Sequence, residues 1–339
     1  MSNTKFINAL ERRPQACPPV WLMRQAGRYH DHYQNLKKDY TFEELCKKPN
    51  LAAETAMGPI NEFDFDVAIL FSDILFPLEA LGMDLSYNPG PQFGLHLDEE
   101  NAANLLTNSN PISFMDFQGE AIERTLERLP GDKSLIGFVG GPWTLIAYAC
   151  HVDKELRNIS LNNFQLGLLD NVILPLLKEN IKLQLDAGAE IVMIFDSTAH
   201  QLADEDLILY LDKTFNALAK DFPNKVGYYA KDGVNYETII SKKNNESIRL
   251  AGMGLDSNID LRDYFNKTGD GFIQGNFSEH FLTLPSDEFL PKLEDYILQL
   301  SDLSPEERLG WVCGLGHGVL KTTPQKNVKE FVTRIREAF

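Results

Sequence analysis

The 339-residue sequence is poor in cysteine, with four. Cys17, Cys46, Cys150 and Cys313 never fall as C-x-x-C. That excludes a disulfide-stapled secreted scaffold and predicts reduced thiols in a cytoplasmic protein. Long apolar runs are missing as well, so no segment reads as a membrane span. The first residues, Met1 to Pro14, are polar and hold no apolar signal core. Positive charge is scarce: 32 Lys and Arg face 49 Asp and Glu, a net charge of -17. Such a balance argues against a nucleic-acid groove and against an anionic membrane surface. No low-complexity tract, Gly/Ser-rich linker or fixed-period repeat divides the chain, which predicts one domain over 1–339. An early G-x-G-x-x-G is absent, and with it the fingerprint of a dinucleotide fold.

What is present is a globular composition, 43% hydrophobic and 24% charged. The stretch Trp21-Leu22-Met23-Arg24-Gln25-Ala26-Gly27-Arg28-Tyr29 stands out. The apolar run Pro19 to Met23 reads as a buried strand. It ends at two arginines, whose planar forks grip carboxylates in a bidentate way. In a chain this acidic, an anionic ligand must be captured by such local charge. The alternative is that Arg24 and Arg28 pair with the chain's own acids.

Short apolar runs end at Met23, Phe71, Val139, Phe195, Tyr229, Met253, Ile273 and Val312, with helical patterns between most of them. Asn171 to Asp186 and Asp206 to Asp221 show helical spacing. Eight such runs predict an α/β fold, a (β/α)8 TIM barrel, with a doubly wound sheet as the alternative. Every run turns polar or glycine-rich at its end: Ser72-Asp73, Gly140-Gly141, Asp196-Ser197, Lys231-Asp232-Gly233, Gly254-Leu255-Asp256, Gln274-Gly275-Asn276, Gly314 to Gly318. In a barrel those ends share one rim, where chemistry sits. The long segment between the second and third strands contains Leu85 to Phe93, a hairpin or lid with a Pro/Gly turn.

Asp73 follows a buried strand. It is either the N-cap of a helix from Ile74 to Leu81 or a carboxylate that meets N–H groups or a cation. Tyr148 lies in the helix after Gly141-Pro142-Trp143-Thr144, as a core residue or a rim hydroxyl. Ser197 lacks a G-x-S-x-G frame, so it is no candidate nucleophile and can be a helix cap. His317 sits among three glycines, which can let it approach a ligand or can form a phosphate nest. No companion metal ligands lie beside it.

These words closely resemble the uroporphyrinogen decarboxylase family. Met23-Arg24-Gln25-Ala26-Gly27-Arg28-Tyr29, Phe71-Ser72-Asp73-Ile74-Leu75, Gly141-Pro142-Trp143-Thr144-Leu145 and Gly316-His317-Gly318 carry the likeness, from about Phe6 to Phe339. The resemblance implies a (β/α)8 barrel, a homodimer with facing clefts, and a cofactor-free and metal-free decarboxylase of porphyrin and haem biosynthesis. It would convert the four acetates of uroporphyrinogen III to methyls, giving coproporphyrinogen III. Arg24, Arg28, Asp73, Tyr148, Ser197 and His317 are implied as the substrate-binding set, all but Ser197 as catalytic. Without another electron sink, a protonated pyrrole can accept the electrons of the breaking bond, and Asp73 can balance the cation. An ordinary arginine is a poor acid.

The sequence departs from the family pattern at His30-Asp31-His32, Thr198-Ala199-His200, Lys321 and Lys326. Two other readings compete: a zinc-dependent methyltransferase on the same barrel, and a non-catalytic tetrapyrrole carrier.

Overall fold

The computed structural model describes residues 2–88, 90–231, 237–239, 248–265, 267 and 269–339. Among them a seven-stranded sheet forms, from β1 (Val67–Ile69), β4 (Ser134–Gly140), β5 (Val192–Asp196), β6 (Val226–Ala230), β7 (Gly252–Gly254), β8 (Phe272–Phe277) and β9 (Trp311–Leu315), in that order. Every pairing in it is parallel. One row of register runs Val139, Ile194, Tyr228, Met253, Ile273, Trp311 across six strands. A parallel sheet needs both faces covered, which is why these strands are nearly continuous in β-branched and aromatic residues. All of β4 is buried, and Tyr228, Phe272, Trp143 and Trp21 are among the largest fully buried side chains. Helices Pro49–Phe63, Asp116–Leu126, Leu174–Asp186 and Asp204–Leu218 pack side by side around it.

The first expected strand, Pro19 to Met23, is a correction. Only an isolated bridge, Val20 to Cys313, forms there. Pro18 and Pro19 carry no N–H to donate, and Arg24 turns into the left-handed region at φ 58°, so a ladder cannot extend in either direction. The bonds that do form reach both edges of the sheet. Cys313 N–H donates to Pro19 O (2.9 Å) and Trp21 N–H to Cys313 O (3.0 Å). On the other side Asp66 N–H donates to Val20 O (3.0 Å), and the buried Asp66 carboxylate accepts from Val20 N–H (2.8 Å). The sheet therefore curls until its two edge strands share one segment.

The segment between β1 and β4 holds the expected hairpin, β2 (Leu85–Tyr87) and β3 (Pro91–Phe93), paired antiparallel. Pro89 of its turn lies outside the described residues, as do Asp232 and Gly233 after β6. The expected helix Asn171 to Asp186 is seen as a π-turn, Leu169–Ile173, running into Leu174–Asp186. Gln274, Gly275 and Asn276 lie inside β8 and not beyond it. The Gln274 amide donates to Leu315 O (3.1 Å), and the Asn276 amide to Asp256 O and Ile259 O (2.7 Å each). Polar side chains are tolerated there because they staple neighbouring backbone.

Candidate active site

The loop after Trp21 is fastened by its uncharged residues. Gln25 is buried and donates to Val67 O (3.1 Å), Tyr29 O–H donates to Gln25 O (2.6 Å), and His30 N–H donates to Gly27 O (2.9 Å). With those inside, Arg24 and Arg28 point outward and are exposed. Neither guanidinium has an ion pair or hydrogen bond among the described residues, so the expected alternative of internal pairing is not realised. Arg24 lies along Gly318, where an added Cβ would stand 2.5 Å from its Cδ.

Asp73 is half-buried, three residues before the helix Phe76–Ala80. Its Oδ1 accepts from Leu75 N–H (2.8 Å), a turn contact rather than the expected cap of a helix from Ile74. Burial pushes its carboxyl above the ordinary aspartate range, opposed by that N–H, by the Tyr87 hydroxyl and by the charge of Arg24. Tyr87 Oη is itself buried and lacks a well-formed hydrogen bond, while its ring stands 4.8 Å from Phe42 and 6.2 Å from Phe76. It comes from the hairpin, and only its hairpin context in the sequence hinted that it would reach the rim.

Asp196 looks like Asp73 in sequence but behaves differently. It is fully buried and accepts from Thr144 Oγ1 (2.8 Å), from Tyr228 Oη (2.9 Å) and from Tyr210 Oη. Burial raises its carboxyl too, and the three hydroxyls oppose that. Thr144 Oγ1 in turn accepts from Thr198 N–H (3.2 Å), which fixes the turn carrying Ser197. Gly141 is needed because a Cβ there would fall 2.3 Å from Asp196 Cγ. Ser197 caps no helix and is half-buried with its hydroxyl unpartnered among the described residues. Tyr148 is half-buried in the helix Pro142–Ala149, with Lys154 Nζ 5.4 Å from its ring. No hydrogen bond joins Tyr148, Ser197 or Arg28 to the other candidates.

His317 is stacked on Tyr229, ring centroids 6.1 Å apart. Tyr229 Oη lies 2.9 Å from Gly316 O and 3.1 Å from His317 Nδ1. A phenol has one proton. With the shorter contact taken as its donation, Nδ1–H of His317 donates back to the phenol oxygen. The glycines around His317 do not form the phosphate nest that was one sequence reading. None has a positive φ, and each is filled by the protein: Gly314 by Gln274 and Trp21 O, Gly316 by Ser257, Gly318 by Arg24.

Contacts run around the strand ends as a circuit. Ile74 packs on Gly140, Gly141 on Asp196, Phe195 on Tyr229, Tyr229 on His317 and Gly318 on Arg24, and the charge of Arg24 acts on Asp73. Among the described residues no group of three His, Cys, Asp or Glu is placed to hold a metal ion. A separate cleft of about 470 Å³ is bordered by His30, Asp31, His32 and Lys326, four of the departures named above, and by none of the six candidates.

Fold and site define an α/β protein whose loop after Trp21 presents two guanidinium groups, unpaired among the described residues, with the charge of Arg24 acting on the half-buried Asp73 carboxylate. The chain belongs to the uroporphyrinogen decarboxylase family: the family's sequence model matches residues 1–338. It is similar to proteins named uroporphyrinogen decarboxylase from Geobacter sulfurreducens (32% identical, 97% of each chain covered) and Orientia tsutsugamushi (31%, 98% of each). The relative from Solibacter usitatus is 29% identical over 98% of this chain and 97% of its own. Among solved structures, a methyltransferase from Methanosarcina mazei superposes with a TM-score of 0.74 at 18% identity, covering 99% of this chain and 98% of that one. A putative vitamin-B12-independent methionine synthase from Listeria monocytogenes follows at 0.55 and 13%, covering 96% and 97%. At those identities the likeness concerns the fold alone. Among the described residues no helix is long and apolar enough to cross a membrane.

Proposed function

We propose that this protein decarboxylates the four acetate side chains of uroporphyrinogen III, giving coproporphyrinogen III, with Asp73 as the fixed counter-charge. Family membership and the named relatives support the reaction, a step of porphyrin and haem biosynthesis. The observation that carries the residue assignment is Asp73: a carboxylate that burial disfavours, facing Arg24 across the rim without an ion pair. Arg24 and Arg28 take the substrate's peripheral carboxylates. Pyrrole N–H groups donate to Asp73. A proton adds to the ring carbon next to the one that bears the acetate side chain, and the ring becomes a cation that Asp73 balances. The bond to the carboxylate breaks, its electron pair enters the ring, and CO2 leaves. The remaining methylene takes a proton to become methyl, and the ring returns its added proton. Tyr148, Ser197 and His317 orient the macrocycle, with Tyr148 and His317 beside the reacting ring. No cofactor or metal enters this scheme.

The same reading carries a closed (β/α)8 barrel in which the Pro19–Trp21 segment serves as the eighth strand, one domain over 1–339, a cytoplasmic location, and a homodimer with facing clefts. Nucleic acid and membrane are not expected partners at a net charge of -17. Incubation with uroporphyrinogen III under anaerobic conditions tests the function, the products being counted by their carboxyl groups. Stepwise appearance of the four-carboxyl product is expected. Bound but unaltered substrate would mean a carrier instead. Sedimentation equilibrium tests the dimer.

A further inference from the structure

The cleft bordered by His30, His32, Asn61, Glu62, Lys326 and Lys329 lies between the helix Pro49–Phe63 and the helix Gln325–Ala338. His30 is 2% exposed. It is wedged against Phe63 at 5.0 Å, Tyr29 at 5.9 Å and His32 at 5.9 Å between ring centroids. Its Nδ1 is buried without a partner, and its Nε2 makes no hydrogen bond among the described residues. Burial, with His32 beside it, holds the imidazole down at about 4, so near neutral pH it is an uncharged ring with one N–H to donate. A buried donor with no acceptor is uncommon and costly.

The opposite wall supplies positive charge. Lys326 and Lys329 are exposed and have no ion pair among the described residues. They stand in the first turns of a 14-residue helix, whose N-terminus favours anions. Gln325, at the start of that helix, ties it to the other wall by accepting from Asp31 N–H (3.2 Å). His32 is held in place over Gly58 and lies 3.1 Å from Glu54 O. Asp31 and Glu62 also border the cleft and disfavour a bare polyanion. They suit a ligand whose hydroxyl groups donate to them.

We propose that this cleft is a second ligand site, apart from the rim of the sheet, for a small hydroxylated oxyanion of the phosphoester or hydroxycarboxylate class. The oxyanion sits at Lys326, Lys329 and the helix N-terminus and accepts from the His30 imidazole. The hydroxyls donate to Asp31 and Glu62.

The test titrates the full-length protein with glycerol phosphate, citrate and inorganic phosphate, each against chloride at matched ionic strength, by calorimetry and by the imidazole proton resonances of His30 and His32. A saturable shift of the His30 resonance is expected with glycerol phosphate or citrate, the tighter of the two naming the class. Both should bind more tightly than inorganic phosphate. In K326E/K329E, which changes only exposed side chains, affinity should fall at least tenfold. His30→Phe keeps the ring stack, and its affinity should fall comparably while its thermal transition stays cooperative. Shifts that never saturate, phosphate binding as well as the hydroxylated ligands, or unchanged affinity in K326E/K329E would each overturn the proposal.

Discussion

Asp73→Asn separates charge from shape. The amide keeps an oxygen for Leu75 N–H, the 2.8 Å contact that shapes this turn, so the backbone is retained. What disappears is the negative charge facing Arg24. A unit charge about 4 Å from a pyrrole cation, at an effective dielectric of about 20, is worth about 4 kcal/mol, roughly a thousandfold in rate. The loss should fall on kcat more than on KM, because the cation exists only along the reaction path. Stability should move the other way. Burial raises the Asp73 carboxyl, so the folded protein holds this proton more tightly than the unfolded chain. Stability therefore falls as pH climbs from the ordinary aspartate value through the raised one, and the penalty persists at neutral pH. Asparagine carries no such penalty, so the variant should unfold in urea at the same concentration as wild type or a higher one. In the wild type, activity should fail in acid with a midpoint above the ordinary aspartate range, and the variant's residual rate should lack that limb. A variant within tenfold of wild type, or one that keeps the same acid limb, would refute the counter-charge role.

Thr144→Val removes a donor from the buried Asp196 carboxylate and leaves Thr198 N–H without its acceptor. Urea unfolding should show a loss of about 2–4 kcal/mol at pH 7. Because the lost bond favours the charged form of an already raised carboxyl, the loss should shrink as pH falls through that raised range. Gly318→Ala puts a Cβ 2.5 Å from Arg24 Cδ and should displace that side chain, lowering kcat/KM by about tenfold or more without unfolding the protein. Steady-state assays on uroporphyrinogen check it, and a wild-type value would mean that the pose of Arg24 is irrelevant. Tyr229→Phe loses the hydroxyl that meets Gly316 O and His317 Nδ1 and should cost about 1–2 kcal/mol of stability. It should lower kcat more than it raises KM, and an equal change in both would argue against a role in orienting His317.

The sequence was readable where burial is two-sided. The runs ending at Val139, Phe195, Tyr229 and Met253 stop one residue short of the observed ends of β4, β5, β6 and β7, and β4 is buried along its whole length. It was misleading where polar side chains serve neighbouring backbone. Gln274 and Asn276 look like a strand exit yet staple β8 from within. The pattern around Val20 promised a strand, but two prolines withhold donors and Arg24 bends the chain away. Asp73 and Asp196 cannot be told apart by residue type and strand position. Their partners distinguish them, and those come from Thr144, Tyr210 and Tyr228 for one and from the Tyr87 hairpin for the other. Likewise the glycines near His317 announce close approach without saying what approaches. Family membership agrees with the motif likeness, since both span nearly the whole chain. Roles for Asp73, Arg24 and His317 rest on the tests above.

The Val20–Trp21 join has a mechanical consequence. β8 and β9 are zipped through five residues of register, whereas this segment is pinned to its neighbours by a few bonds at Pro19, Val20 and Trp21. It is the seam of the molecule, and seams part first. Parting there would open the join while the strands from β4 to β9 stay laced. Amide protons of Val20 and Trp21 should accordingly trade with deuterium well ahead of those at Val139 and Ile194.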